Sequence, residues 1–221
     1  MSNTLEICVD ASLRKYENSG RIFTCSGAIS INSGEELYTI DEDSTNNRGE
    51  LIAAYLGLLL ANKERYNCNY DNIAIYSDSQ FVVYGLTKWM HSWVFNTRNG
   101  IIYNSNKTPV KNQELFKLII SYCIDNNMRV HFYAQRGHVN YNSSKDLAEA
   151  NNYFYDANGF ILKPEDIFKI SFYNDIIDKN TRKILEGIND FDYPVKDRHK
   201  SFDFNIPYNF GNYIIRNYKV S

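Results

Sequence analysis

The alternation of apolar and polar positions opens the chain with a strand. Leu5, Ile7 and Val9 alternate with Glu6, Cys8 and Asp10, the two-residue period of extended backbone. Ile22 to Ile31 and Glu36 to Ile40 read as two more strands, joined across Asn32-Ser33-Gly34, a good hairpin turn. A Leu- and Ala-rich run then predicts a helix from about Asn46 to Tyr66. Glu50, Ala54, Gly57 and Ala61 fall on one face of it, so this face should pack closely on a sheet. Next come a short strand, Ile73 to Tyr76, and a helix, Ser79 to Thr87. Lys88 to Lys111 reads as an irregular segment with a short helical piece. A helix from Asn112 to Asn126, a strand from Arg129 to Ala134 and a helix beginning near Ser143 complete this part. Three strands in hairpins followed by alternating helix and strand imply a mixed sheet covered by helices.

The character changes after about Tyr155, dividing the chain into residues 1–155 and a C-terminal extension, 156–221. Pro164-Glu165-Asp166 reads as a helix start, with Ile167, Ile170, Ile176 and Ile177 as its apolar face. From Phe191 onward the pattern is aromatic and weak. Phe202, Phe204, Ile206, Tyr208 and Phe210 alternate like a strand that Pro207 would confine to an edge.

Composition narrows the class only a little. The chain has 221 residues, 43% hydrophobic and 23% charged, with a net charge of −2. These are ordinary values for a globular protein. No segment approaches the roughly 18 apolar residues of a membrane span. The first residues lack a basic region followed by an apolar run, so no secretory leader is expected. Cys8, Cys25, Cys68 and Cys123 are scattered without metal-ligand spacing. They read as buried thiols in a reducing, cytoplasmic setting.

Charge distribution says more than its sum. From Ser79 to Gln113 there is no Asp or Glu, while Lys88, Arg98, Lys107 and Lys111 stand among Trp89, Trp93, Phe95 and Tyr103. Such a stretch suits a phosphate-tracking surface, and equally a solvated loop.

Four acids and a histidine carry the candidate chemistry. Asp10 and Asp78 each end an apolar strand, where a carboxylate is costly to ionise unless it begins a solvated loop. Glu50 heads the small-residue stripe of its helix, or simply complements the helix dipole. Asp146 follows Ser143 in the pattern Ser-x-x-Asp, which also reads as a capping box. His138 follows Arg136-Gly137 in a loop. Convergence at one sheet edge would leave several carboxylates repelling one another, a repulsion that hard divalent cations relieve. Two such ions about 4 Å apart suit phosphodiester hydrolysis.

The sequences around these residues resemble the type 1 ribonuclease H family. The matching pieces are Val9-Asp10-Ala11-Ser12, Thr45 through Ala54, Tyr76-Ser77-Asp78-Ser79-Gln80 and Trp89-Met90-His91-Ser92-Trp93. Pro109-Val110-Lys111-Asn112 with Leu115 follows, then Gly137-His138 with Asn142, Asp146, Leu147 and Ala148. They occur in the family's order and cover about residues 5 to 155. The resemblance implies an α/β, ribonuclease H-like fold: a five-stranded mixed sheet flanked by helices, here with a C-terminal extension.

It also implies an endonuclease that cuts the RNA strand of an RNA–DNA hybrid with two Mg2+ ions, Mn2+ being possible, leaving 5′-phosphate and 3′-hydroxyl ends. Asp10 would bridge both metals, Glu50 and Asp78 would complete one site, and Asp146 the other. Glu50 would also touch a ribose 2′-hydroxyl, and His138 would assist proton transfer or product departure. Asn46 and Asn47 match positions facing the RNA strand in the minor groove, whose 2′-hydroxyls distinguish RNA from DNA. Thr45 and Asn112 match a pocket for a DNA-strand phosphate. Trp89 and Trp93 match a basic protrusion that grips the hybrid, and Gln80 and Lys111 join the substrate-contact positions. The protein is expected to act as a monomer, without a membrane.

Three features depart from the family. The glycine-rich turn after the first aspartate is replaced by the longer Leu13 to Gly20. The loop from His138 to Asp146 is shorter, and the chain after Tyr155 matches nothing in the family. Two other readings stand beside an active enzyme. One is a hybrid-binding module without catalysis, which the complete acid set argues against. The other is an interaction protein acting through its C-terminal aromatics with Arg198, Lys200, Arg216 and Lys219.

Overall fold

The computed structural model describes residues 3–42, 44–66 and 70–188. Five strands form one sheet in the order β3-β2-β1-β4-β7: β1 Thr4–Lys15, β2 Ile22–Ser30, β3 Glu36–Glu42, β4 Asn72–Ser77 and β7 Val130–Ala134. The first three are antiparallel neighbours, whereas β4 and β7 run parallel to β1. This is the mixed sheet that the order of elements implied. Central β1 is buried almost continuously from Leu5 to Ser12, as a strand covered on both faces must be.

Helices α1 (Asn46–Arg65), α2 (Gln80–Thr87) and α3 (Gln113–Asp125) share one apolar cluster with Leu5, Ile7, Val9 and Ile75 on one side of the sheet. The small-residue stripe of α1 does what its spacing predicted. A β-carbon on Gly57 would lie 2.8 Å from Val9 Cγ1, so only glycine allows this approach. Cys8, Ile29, Ala74 and Tyr76 belong to a second cluster with α4 (Ser144–Asn158) and α5 (Pro164–Glu186). Ile167, Ile170 and Ile177 of α5 are buried there, Ile176 packs beside them, and Leu185 joins Phe23 and Cys25.

Local details differ from the pattern-based expectations. Asp10 does not end its strand, because Ala11 to Lys15 continue as the arm that pairs with Ile22 to Ser26. Leu13 to Lys15 of the longer segment are thus strand, and Glu17 to Ser19 form the turn itself. The irregular segment contains a 3-10 turn, Trp89–Ser92, and a small hairpin of β5 (Val94–Asn96) and β6 (Ile101–Tyr103). The boundary drawn near residue 155 falls inside α4. The strand expected at 202–210, the basic residues named beyond Phe191, and Cys68 lie outside the described residues. Cys8, Cys25 and Cys123 are free and buried. Among the described residues, no helix is long and apolar enough to cross a membrane.

Candidate metal centre and nucleic-acid face

Strand register builds the site. The parallel pairing of β1 with β4 ends at Val9 opposite Ser77, so Asp10 and Asp78 follow immediately and side by side. Thr45 caps α1 by accepting the Arg48 N–H at 3.3 Å, and Glu50 then lies in the early turns that pack on the sheet. Carboxylate oxygens of Asp10, Glu50 and Asp78 lie within 4.8 Å of one another.

The electrostatics of this triad are unfavourable. Asp10 and Glu50 are 5% and 4% exposed. Burial and the charges of Asp78 and Asp178 hold the Asp10 carboxyl well above the usual range. Burial and the charges of Asp10 and Asp78 do the same to Glu50. Asp78 is also raised, by burial first; His138 opposes that shift, and Asp178 reinforces it. The buried Oε2 of Glu50 has no hydrogen-bond partner. An orphaned carboxylate oxygen among three crowded acids fits a divalent cation, which would satisfy the oxygen and cancel the repulsion. The three acids can therefore hold a metal ion.

A cavity of about 520 Å³ opens over the triad, lined also by Ser12, Asn46, His138, Asp178 and Arg182. Gly137 backs it, and a β-carbon there would overlap Asp78 Oδ2. His138, next in sequence, has φ 53°, a left-handed conformation unusual for a non-glycine residue. Asp146 is neither in the three-acid cluster nor on the cavity wall. Its backbone N–H donates to Ser143 Oγ at 3.3 Å, and its Oδ2 accepts from the Asn140 N–H at 3.4 Å. The capping pattern read from Ser143 is thus present.

Three residues of α5 reach the site that the sequence reading did not single out. Asn174 stands beside Asp78 and accepts from Gln135, while Asp178 and Arg182 line the cavity. A signal existed. Asn174, Asp178 and Thr181 interrupt the helix's Ile and Leu stripe at core spacing, where polar side chains are out of place unless they have work to do.

The expected substrate positions spread from this cavity. Thr45, Asn46 and Asn47 are exposed at the start of α1. Gln80 is exposed and donates to Tyr153 Oη at 2.8 Å. Asn112 caps α3 with a left-handed backbone, φ 53°. Trp89, Trp93 and Lys111 line a second cavity of about 540 Å³ with Phe81 and Phe116. Trp93 meets Phe116 edge-on at 4.9 Å and is half-buried, whereas Trp89 is the more exposed of the two.

Comparison with known proteins adds an independent line. Residues 2–152 match the family model described as RNase H. A ribonuclease H of Bartonella bacilliformis is 34% identical over 126 residues, covering 57% of this chain and 75% of that protein. One from Rickettsia akari is 35% identical over 85 residues, 38% of this chain and 49% of that protein, so the match spans about half of this relative. A solved structure, LC11-RNase H1 in complex with RNA/DNA hybrid, is 14% identical with a TM-score of 0.42. That match covers 69% of this chain and 95% of the other, too distant a likeness to add weight. With the family model spanning more than half of its length, the chain belongs to the RNase H family.

Proposed function

We propose that this protein is a metal-dependent endonuclease that hydrolyses the RNA strand of RNA–DNA hybrids, leaving 5′-phosphate and 3′-hydroxyl ends. The observation that carries this reading is the triad of buried Asp10 and Glu50 with half-buried Asp78, and its unpartnered Glu50 oxygen. These three would hold one divalent cation, Asp10 would be shared with a second, and Asp146 would complete the second site. Mg2+ and Mn2+ both accept such oxygen ligands. When bound, the cations supply an activated water and stabilise the leaving oxygen.

The chain's own residues then have defined tasks. Asn46 and Asn47 face the minor groove from the exposed start of α1, where 2′-hydroxyls mark the RNA strand. Glu50, at the metal triad, would also meet a ribose 2′-hydroxyl beside the cut. Thr45 and Asn112 hold a phosphate of the DNA strand. Trp89, Trp93 and Lys111 extend the grip, with Gln80 at the cavity's flank. His138, on the cavity wall, handles a proton or the departing product. Contacts of this kind fix position without reading sequence.

The test is cleavage of labelled RNA–DNA, RNA–RNA and DNA–DNA duplexes in parallel with Mg2+. Only the RNA of the hybrid should be cut, and Asp10→Asn should abolish cutting while hybrid binding survives. Normal cutting by that variant would refute the site assignment.

A further inference from the structure

The site has a wall that the family-matched segment does not supply. Helix α5 begins at Pro164, beyond residues 2–152, and lies across β1 and β2. It is fixed there by buried contacts on both sides of the site. Cys8 Sγ donates to the Ile170 carbonyl at 3.7 Å, and Ser12 shares a hydrogen bond with Thr181. Asp178 lies between these anchors and is only 15% exposed.

Its two oxygens face different partners. Oδ1 forms an ion pair with Arg182 Nε at 2.8 Å, one helical turn on. Oδ2 lies 3.6 Å from His138 Nδ1. His138 cannot drift far, because its backbone is held on both flanks. Gly137 is pressed against Asp78, and Val139 is buried at 7% exposure. The left-handed φ at His138 is a strained geometry that the surroundings impose, as occurs where a side chain must be aimed. The imidazole itself is 71% exposed over the cavity, and Asp178 faces its Nδ1.

We propose that Asp178 is a positioning residue for His138, the Arg182–Asp178–His138 chain holding Nδ1 so that Nε2 is presented to the cavity. A carboxylate on one imidazole nitrogen fixes the tautomer and leaves the other nitrogen free to accept a proton. Arg182, paired with Asp178 one turn on, orients the carboxylate for this task. At 3.6 Å the Asp178–His138 contact is an ion-pair distance, longer than a hydrogen bond. The proposal rests on the nuclease reading for the use made of Nε2, but not for the Asp178–His138 coupling itself.

Two measurements on the full chain separate these claims. Nitrogen-15 spectra of histidine-labelled, metal-free protein should show His138 mainly as the Nδ1–H tautomer, and Asp178→Asn should redistribute it. In hybrid cleavage, Asp178→Asn should lower kcat about tenfold with KM little changed, a modest part of what proton transfer contributes. On a His138→Ala background the same substitution should cost nothing further, because a residue acting through His138 has nothing left to act through. A purely structural role for Asp178 would give additive losses, and that result overturns the proposal. So does a His138 tautomer indifferent to Asp178→Asn. If the wild-type protein cuts no hybrid at all while the tautomer still depends on Asp178, the nuclease reading fails and the coupling stands.

Discussion

Ser12 Oγ on β1 and Thr181 Oγ1 on α5 are hydrogen-bonded at 2.8 Å, both buried, two residues beyond Asp10. The Thr181 hydroxyl donates its proton to the Asp178 carbonyl at 2.9 Å, so Ser12 is the donor of the pair. Thr181→Val keeps the shape and removes the acceptor. It should lower stability by about 1 kcal/mol, read as a shift in the urea midpoint with unchanged slope. An unshifted midpoint would show that the bond contributes nothing.

The same helix bears on the whole fold. Ile167, Ile170, Ile177 and Leu185 are at most 3% exposed, and burying each is worth about 1.5–3 kcal/mol. Their sum is comparable with the roughly 5–15 kcal/mol stability of an entire domain. A chain ending at residue 158 should therefore be markedly destabilised. It should also react faster than the full chain with a thiol reagent, because Cys8 and Cys25 lose their cover. Equal thiol reactivity in the two proteins would mean that α5 is dispensable.

Rising pH and added metal should act in opposite directions on stability. Asp10, Glu50 and Asp78 are all raised, by burial first, so the folded protein keeps protons that the unfolded chain gives up. Unfolding thus releases protons, and stability falls as pH rises from about 4 through the elevated folded values. Without metal, the melting temperature should be lower at pH 7 than these carboxyls would allow at pH 4.5, and Mg2+ should restore it at pH 7. Asp10→Asn should raise the metal-free melting temperature at pH 7 by a few degrees, about 1 kcal/mol of relieved repulsion, and blunt the Mg2+ gain. Thermal scans in EDTA and in Mg2+ check both. A variant that melts lower in EDTA than the wild type would contradict this account.

Gly137 should tolerate no side chain. A methyl group there would lie 2.4 Å from Asp78 Oδ2, so that carboxylate must shift from its place beside Asp10 and Glu50. Gly137→Ala should reduce hybrid cleavage by about tenfold or more with an unchanged circular dichroism spectrum, since small misplacements of reacting groups are expensive. Full activity would show that Asp78 has room to move.

Much of this site was legible in the chain because it depends on local regularities. The apolar run Ile73 to Tyr76 announces a strand, and the acid just past it is Asp78. The spacing of Glu50, Ala54, Gly57 and Ala61 announces a packed helix face. Asp10 was placed at a strand end, whereas β1 continues to Lys15; hairpin pairing with β2 extends a strand beyond its apolar alternation. Asp146 shows how one pattern supports two roles, as its cap is formed while it stands outside the three-acid cluster.

The sequence by itself determined which segments are helix or strand, which faces turn inward, and where the principal carboxylates stand, because these follow from short-range periodicity. Only the tertiary structure decided what α5 turns inward against. Its stripe of Ile, Asn, Asp and Thr specifies a buried face but not the surface that covers it. The crossing of α5 over β1 and β2, set by long-range packing, brings Asn174, Asp178 and Arg182 to Asp10, Asp78 and His138.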